Sequence, residues 1–174
     1  MHDDAKENLN NLVGKPPSES QVEMTELVLP NDTNLLGNLL GGRLMHWIDI
    51  AGAMAASRHS GRIVATVALD NLDFRHPARM GELVILKAKL TWVGRTSMEV
   101  GVNVYAENIK SGKTILTNKA YITFVALDEE GKPTPVPPLL PETEEEKFNF
   151  QQGELRRQKR LRRKCMEESA SRGN

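Results

Sequence analysis

Apolar and polar residues alternate at every second position over four long stretches that follow Gly61. This period is typical of antiparallel strands with one buried face and one exposed face. The segments VGRTS and NIKSGKT supply short turns between such strands. A shorter strand is predicted for Val22–Pro30, and it ends at Pro30 because proline has no backbone N–H to donate. The four long predicted strands cover residues 63–70, 84–92, 98–107 and 116–126.

One long helix is predicted between the first strand and the other four, over Arg43–His59. This segment has no proline and only one glycine, Gly52, and its apolar residues occupy almost every face. A helix that is apolar all round is enclosed by other structure. A long antiparallel meander with one enclosed helix predicts an α+β protein of the hotdog architecture, in which the sheet curls around a central helix.

The length of 174 residues fits one domain with tails at both ends. Residues 1–20 are polar and include PPSES, which predicts a flexible arm. Residues 21–140 hold all the predicted strands and the central helix. Residues 141–174 follow the segment PTPVPPLLP and predict a charged C-terminal helical tail.

Charge is balanced in number, with 23 basic and 23 acidic residues, but it is unevenly placed. The run Arg156–Lys164 is strongly basic, and such a run can bind nucleic acid or an anionic membrane. It has no interleaved aromatic residues, and the acidic run Glu142–Glu146 lies just before it. We therefore favour a solvated helix with ion pairs at three- and four-residue spacing and expect no nucleic acid partner.

Several protein classes are excluded by what the sequence lacks. The longest apolar-rich stretch, Leu44–Ala56, is shorter than the roughly 20 residues that cross a bilayer, so no stable membrane insertion is expected. A single cysteine, Cys165, excludes an internal disulfide and a cysteine-rich zinc site. The first residues lack the features of a signal peptide, and together these observations predict a cytoplasmic protein.

Familiar catalytic motifs are also missing: there is no CxxC, HExxH, GxSxG or GxGxxG. Gly37 and Gly42 have the separation of the two P-loop glycines, but Arg43 stands where the lysine that holds phosphate belongs. The sequence therefore predicts neither a nucleotide P-loop nor a metalloprotease.

The candidate chemistry is a carboxylate in the apolar helix, Asp49, between Ile48 and Ile50. A buried charge is costly unless it is paired, and burial raises the pKa of a carboxylate toward the range of a general base. The alternative is that Asp49 faces solvent or caps a backbone group. The helix start at Gly41 and Gly42 offers free N–H groups that can polarise a carbonyl, unless these glycines only make a tight turn.

The pattern N-x-x-G-N-x-x-G-G-x-x-M-x-x-x-D lies within NDTNLLGNLLGGRLMHWIDIAGAMAASRH. Together with the later stretch from VGRTSMEV to PTPVPPL, it resembles the hotdog-fold acyl-CoA thioesterases. The likeness covers about Thr25 to Leu140 and is strongest to broad-range bacterial and cytosolic long-chain acyl-CoA hydrolases. It implies hydrolysis of acyl-CoA to fatty acid and coenzyme A, with no cofactor and no metal.

The resemblance also implies roles for individual residues. Asn34 matches the active-site asparagine, which positions water, and Asp49 matches the catalytic aspartate, which acts as base or nucleophile. In the family these two come from different subunits or from different fused repeats, and the helix start at Gly41 and Gly42 supplies the oxyanion donor. The positions that match coenzyme A contacts are Ser57, Arg58, His59, Gly94, Arg95, Thr96, Ser97 and Lys119.

A homo-oligomer is expected on two grounds. Apolar residues on the second face of the sheet predict at least a dimer, and relatives in the family form trimers of dimers. Two other functions are open: a hotdog dehydratase, which would need His46 with a carboxylate, and a non-catalytic acyl-CoA sensor. A sensor usually carries a DNA-binding domain, for which residues 1–20 are too few and too polar.

Overall fold

The computed structural model describes residues 12–171. The first eleven residues, which make up more than half of the predicted arm, and the last three lie outside the described range. Two short 3₁₀ turns, Pro17–Glu19 and Pro30–Asp32, flank the first strand. The strands and helices are β1 (Val22–Leu27), α1 (Gly41–Ser60), β2 (Ile63–Phe74), β3 (Leu83–Val93), β4 (Ser97–Glu107), β5 (Thr114–Leu127) and α2 (Glu144–Ser171).

The five strands form one antiparallel sheet in the order β1-β3-β4-β5-β2. Alternate residues of β3, β4 and β5 are buried, as the period of two requires. The register of β2 against β5 shifts between Thr66 and Ala68, which marks an irregularity in this edge strand. The predicted strands and their order along the chain are confirmed.

The inner face of the sheet, which faces α1, holds the hydrophobic core. Ile48, Ala51 and Ala55 of the helix are fully buried against it. A Cβ at Gly52 would lie 3.0 Å from the ring of Phe124, so glycine lets the helix approach the sheet closely. The predicted hotdog architecture, a curled sheet with one central helix, is confirmed.

The prediction that α1 is enclosed on all sides is wrong for the single chain. Met45, Ile50 and Met54 are 42%, 37% and 40% exposed, and they lie on the side of α1 that faces away from the sheet. The physical reason is that one sheet covers one side of a helix. The apolar pattern of the sequence shows that a helix face is buried. It does not show whether residues of the same chain or of another chain bury it.

The outer face of the sheet, which faces away from α1, carries α2. The rings of Trp92 and Phe150 lie 6.5 Å apart, and a Cβ at Gly153 would come within 2.5 Å of Trp92 Cβ. Glu99 lies fully buried beneath α2 and pairs with Arg156. The expectation of a solvated helix is therefore corrected: the first half of α2 is packed on the sheet, and residues 161–167 are exposed.

Residues 12–20, which belong to the predicted arm, also pack against the domain. The Lys15 backbone N–H donates to Pro138 O at 2.9 Å, and the Leu140 N–H donates to Lys15 O at 2.9 Å. Ser20 is buried. These contacts make residues 12–20 part of the folded domain.

Neither α1 nor the described part of α2 is both long and apolar enough to cross a membrane.

Candidate active site

Asp49 lies on α1 and contacts the edge strand β2. Its Oδ1 accepts a hydrogen bond from Thr66 Oγ1 at 2.7 Å. Among the described residues Oδ2 has no hydrogen-bond partner, and the side chain is half-buried, between the burial and the solvent exposure that the sequence left open. One carboxylate oxygen is therefore held by a neutral donor, and the other is open to accept a proton.

The start of α1 is bare. No side chain caps it and no acidic residue lies in its first turn. The first intrahelical bond runs from the Leu44 N–H to Leu40 O at 3.0 Å, and the space around the Cα of Gly42 is open. Unpaired N–H groups at such a start carry the positive end of the helix dipole. An oxyanion can therefore approach the backbone at Gly41 and Gly42.

A buried aspartate fixes the loop that leads into this helix. Asp32 Oδ1 pairs with Arg43 Nε at 2.8 Å, and its Oδ2 accepts from the Leu29 N–H at 3.2 Å. The Leu40 N–H donates to Asp32 O at 2.8 Å. Arg43, which occupies the position where a P-loop would have its lysine, thus anchors the start of α1.

Asn34 lies in the exposed loop before α1. Its Oδ1 accepts from the N–H groups of Leu36 at 3.0 Å and Asn38 at 3.1 Å, so the side chain stabilises the loop itself. Leu35 and Leu36 are 106% and 83% exposed. Within residues 12–171 no hydrogen bond links Asn34 to Asp49.

Two of the predicted coenzyme A contacts, Arg58 and Arg95, are exposed cations. Arg58 lies beside Ser57 in the last turn of α1 and donates to Gln21 O at 2.6 Å. Arg95 lies in the β3–β4 turn, and its carbonyl accepts from the Val136 N–H at 3.0 Å. The remaining residues of that turn, Gly94, Thr96 and Ser97, are held by backbone bonds from the Gly94 N–H to Ser97 O and from the Ala126 N–H to Thr96 O.

His59 differs from these cations because it is fully buried. Its Nε2 lies 2.8 Å from Pro137 O, and its Nδ1 has no partner among the described residues. Burial lowers the pKa of His59 below its ordinary value; the Pro137 carbonyl opposes this shift and the charge of Lys15 adds to it. This burial argues against the predicted coenzyme A contact and gives His59 a role in packing.

Lys119, the last predicted coenzyme A contact, lies on β5 and lines a groove on the outer face of the sheet. It is therefore on the face opposite to α1 and Asp49. Within residues 12–171, no group of three or more histidine, cysteine, aspartate or glutamate residues is arranged to hold a metal ion.

Sequence reasoning missed Thr66. It stands at a polar position of an alternating strand, where threonine is ordinary. Only the fold brings its hydroxyl to Asp49.

Comparisons with known proteins give the family of this chain. The sequence model of the thioesterase superfamily matches residues 36–113. An uncharacterized acyl-CoA thioester hydrolase of Bacillus subtilis is 45% identical over 128 residues, 74% of each chain. The chain belongs to the hotdog-fold acyl-CoA thioesterases. The cytosolic acyl coenzyme A thioester hydrolase of rat is 36% identical, and the chain spans 37% of its length.

Solved structures add detail on other members of the family. An acyl-CoA hydrolase of Staphylococcus aureus, solved with butyryl coenzyme A and coenzyme A, has a TM-score of 0.83 at 35% identity; the match covers 90% of this chain and 95% of that one. A hexameric acyl-CoA thioesterase has a TM-score of 0.84 at 40% identity, over 87% of this chain and 97% of that one.

The Staphylococcus aureus enzyme has also been solved as alanine variants of an asparagine, an aspartate and a threonine. In that chain the aspartate follows the asparagine by 15 positions and precedes the threonine by 17. Asn34, Asp49 and Thr66 have the same two separations here.

Proposed function

We propose that the protein hydrolyses acyl-CoA thioesters to a free fatty acid and coenzyme A. The observation that carries the proposal is the hydrogen bond from Thr66 Oγ1 to Asp49 Oδ1, on a helix whose start is free of capping side chains. The equal spacing of the three residues altered in the Staphylococcus aureus enzyme supports it.

The chemistry needs few groups because a thioester carbonyl is electrophilic and its thiol leaves as a thiolate. Thr66 holds one oxygen of Asp49, and the other oxygen takes a proton from water as the water attacks the carbonyl. The N–H groups at Gly41 and Gly42 hold the negative charge that develops on the carbonyl oxygen. Collapse of this intermediate breaks the C–S bond and releases coenzyme A.

Asn34 joins the site in this proposal from a second subunit. Three neighbouring elements expose apolar side chains: the loop with Leu35 and Leu36, the outer side of α1, and β2 with Ile63 at 76% and Val67 at 60% exposure. Monomers seldom expose so much apolar surface, and a two-fold dimer would cover it. The hexameric relative supports assembly into three such dimers.

In this proposal Arg58 and Arg95, which are both exposed cations, hold the phosphates of coenzyme A. Arg95→Ala should raise KM for acyl-CoA far more than KM for a short acyl-pantetheine thioester, which has no nucleotide. Equal changes for both substrates would remove Arg95 from the phosphate site.

The main experiment measures thiol release from a chain-length series of acyl-CoAs. Asp49→Asn keeps the shape of the side chain and removes its basicity, so kcat should fall by about 10²–10⁴, as for loss of a general base. Thr66→Val should lower kcat less, because the carboxylate remains. Glu144→Gln, an exposed acid on α2, is the matched control and should leave turnover unchanged. Near-normal turnover of Asp49→Asn would contradict the proposal, and acyl-CoA binding without any hydrolysis by the wild-type protein would favour the sensor.

Subunit mixing tests the shared site. Asn34→Ala and Asp49→Ala subunits, each inactive alone, should regain partial activity when refolded together, since one hybrid site then holds both residues. No recovery would place each site within one subunit.

Single turnover in ¹⁸O-water distinguishes the two roles of Asp49. Label found only in the fatty acid supports the general base, which we favour because an amide such as Asn34 can both donate to and accept from a water. Label in the Asp49 carboxylate would show attack by the carboxylate and an anhydride intermediate.

A further inference from the structure

The last part of α2 extends beyond the sheet on which its first part is packed. Arg156 pairs with Glu99 of β4. One helical turn later, Arg160 pairs with Asp70 of the edge strand β2. In the stretch that follows, residues 161–167, every side chain is exposed. The helix therefore crosses the outer face of the sheet, leaves it at β2 and continues into solvent.

One side of α2 points away from the sheet along its whole length. Arg162 comes two positions after Arg160, which is roughly 200° of rotation, so it lies on the side opposite to the sheet. Residues at spacings of seven, four, three and four positions share one side of a helix. The outward face of α2 defined in this way consists of Phe148, Leu155, Lys159, Arg162 and Met166. Its apolar members Phe148, Leu155 and Met166 are 59%, 48% and 73% exposed.

The two cations of the outward face are not neutralised by the helix that carries them. No carboxylate lies three or four positions from Lys159 or from Arg162 along α2, so the ion pairs usual at this spacing cannot form. Arg163, beside this face, lies 3.9 Å from Glu167 in a long and exposed pair. The acidic residue on the same side, Glu144, is at the other end of α2 and pairs with Lys147 at 2.7 Å.

Exposed apolar and cationic side chains on one helix face are complementary to an anionic lipid surface. A helix with such a face lies along a membrane, with its apolar side chains at the boundary between headgroups and acyl chains. Lysine and arginine are attracted to the anionic headgroups. A nucleic acid would attract the same cations, but it offers no apolar boundary for Leu155 and Met166. The combination therefore favours lipid.

We propose that the outward face of α2 binds an anionic lipid surface. Lys159 and Arg162 contact the headgroups, and the three apolar side chains of this face enter the boundary beneath them. The helix α2 is packed on the outer face of the sheet, whereas Asp49 lies on α1 at the inner face. Binding to lipid therefore does not depend on the proposed hydrolysis.

Sedimentation of the full-length protein with vesicles tests the cationic part of this surface. The wild-type protein binds vesicles of phosphatidylcholine and phosphatidylserine in equal parts, and it binds pure phosphatidylcholine far more weakly. Lys159→Ala with Arg162→Ala weakens binding to the anionic vesicles by roughly 25-fold, because each basic residue near such a surface contributes about fivefold. Lys110→Ala with Lys113→Ala removes two exposed lysines of the β4–β5 turn and is the matched control, which leaves binding unchanged.

A second variant tests the apolar part and distinguishes lipid from other polyanions. Phe148→Ser with Met166→Ser keeps every charge, and both side chains are more than half exposed, so the fold is retained. This variant binds anionic vesicles about tenfold or more weakly, as expected when buried apolar side chains are removed. Its binding to duplex DNA equals that of the wild type. An unchanged midpoint of urea denaturation shows that each variant is folded.

Three outcomes overturn the proposal. The first is a wild-type protein that does not bind anionic vesicles, and the second is equal binding by the Lys159→Ala, Arg162→Ala variant and its control. The third is vesicle binding that Phe148→Ser with Met166→Ser leaves unchanged, together with DNA binding that Lys159→Ala with Arg162→Ala abolishes; this assigns the surface to nucleic acid. Asp49→Asn binds vesicles as the wild type does, so a failure of the hydrolysis proposal leaves this test intact.

Discussion

The two faces of the sheet are held by different forces. The inner face meets α1 through fully buried apolar side chains such as Ile48 and Phe124, with no ion pair between sheet and helix among the described residues. The outer face meets α2 through the contact of Trp92 with Phe150 and, in addition, through three ion pairs, Lys89–Glu146, Glu99–Arg156 and Asp70–Arg160. Apolar burial drives packing without strict direction, whereas ion pairs require particular partners.

Glu99 is the centre of the outer contact. It is fully buried, accepts from Thr91 Oγ1 at 2.6 Å, and receives two bonds from Arg156 at 2.9 and 2.7 Å. The Arg156 guanidinium lies 3.7 Å from the centre of the Tyr121 ring. Burial lowers the pKa of Arg156, but the hydrogen bond and charge of Glu99 outweigh it and leave that pKa above its ordinary value. The pair thus fixes where α2 sits on the sheet.

The largest effect is expected on the inner face. Phe124→Ala should lower the free energy of unfolding by about 3–5 kcal/mol, because it removes a fully buried ring and leaves a cavity beside Gly52. Urea denaturation at a fixed protein concentration measures this. Phe148→Ala on α2, where the ring is 59% exposed, is the control and should change stability by less than about 0.5 kcal/mol. Equal losses in both variants would remove the distinction between the faces.

A somewhat smaller loss is expected on the outer face. Arg156→Ala should cost about 3 kcal/mol, because it leaves the Glu99 carboxylate buried without its partner. The double variant Arg156→Met with Glu99→Leu should recover most of this loss, since no charge then remains buried. Denaturant titration of both proteins measures the free energy of unfolding. A double variant that is no more stable than Arg156→Ala would contradict the role of the pair.

Acid should weaken the end of α1. The folded state lowers the pKa of His59, chiefly by burial, so His59 stays neutral in the folded chain while the unfolded chain binds a proton. The stabilising contribution is complete above the unfolded pKa of about 6.5 and is lost as pH falls from there toward the folded pKa. Thermal melts from pH 7.5 to 5 should show a steeper loss for the wild type than for His59→Gln. Parallel curves would assign the acid sensitivity to other groups.

The smallest effect is expected where α2 is solvated. Arg163 lies 3.9 Å from Glu167, and both side chains are about 70% exposed. Arg163→Ala should change the free energy of unfolding by less than about 0.5 kcal/mol, as for most exposed pairs. A loss near that of Arg156→Ala, seen in the same denaturant titration, would show that the far half of α2 is also anchored.

The strands were predictable because the alternation of apolar and polar residues involves only residues that are close together in the chain. Alternation placed the third strand at residues 84–92, and the structure has it at Leu83–Val93. Glu99 shows the limit: in the alternating pattern it is an ordinary outward polar residue, and its burial depends on Arg156, 57 positions later. Asp49 was found because a charge in an apolar helix is anomalous, whereas Thr66 was missed because a threonine in a strand is not.

The contacts of α2 have a consequence for how the protein is made. Arg160 pairs with Asp70, which lies 90 positions earlier in the chain. The whole sheet and α1 precede Glu144, the first residue of α2. During synthesis the N-terminal part of a chain leaves the ribosome first. The inner face and Asp49 can therefore assemble on the ribosome while α2 is still emerging, and until α2 arrives the carboxylates of Glu99 and Asp70 face water instead of protein. The outer groove is complete only once α2 has docked, because Glu145, Glu146 and Asn149 of α2 line it.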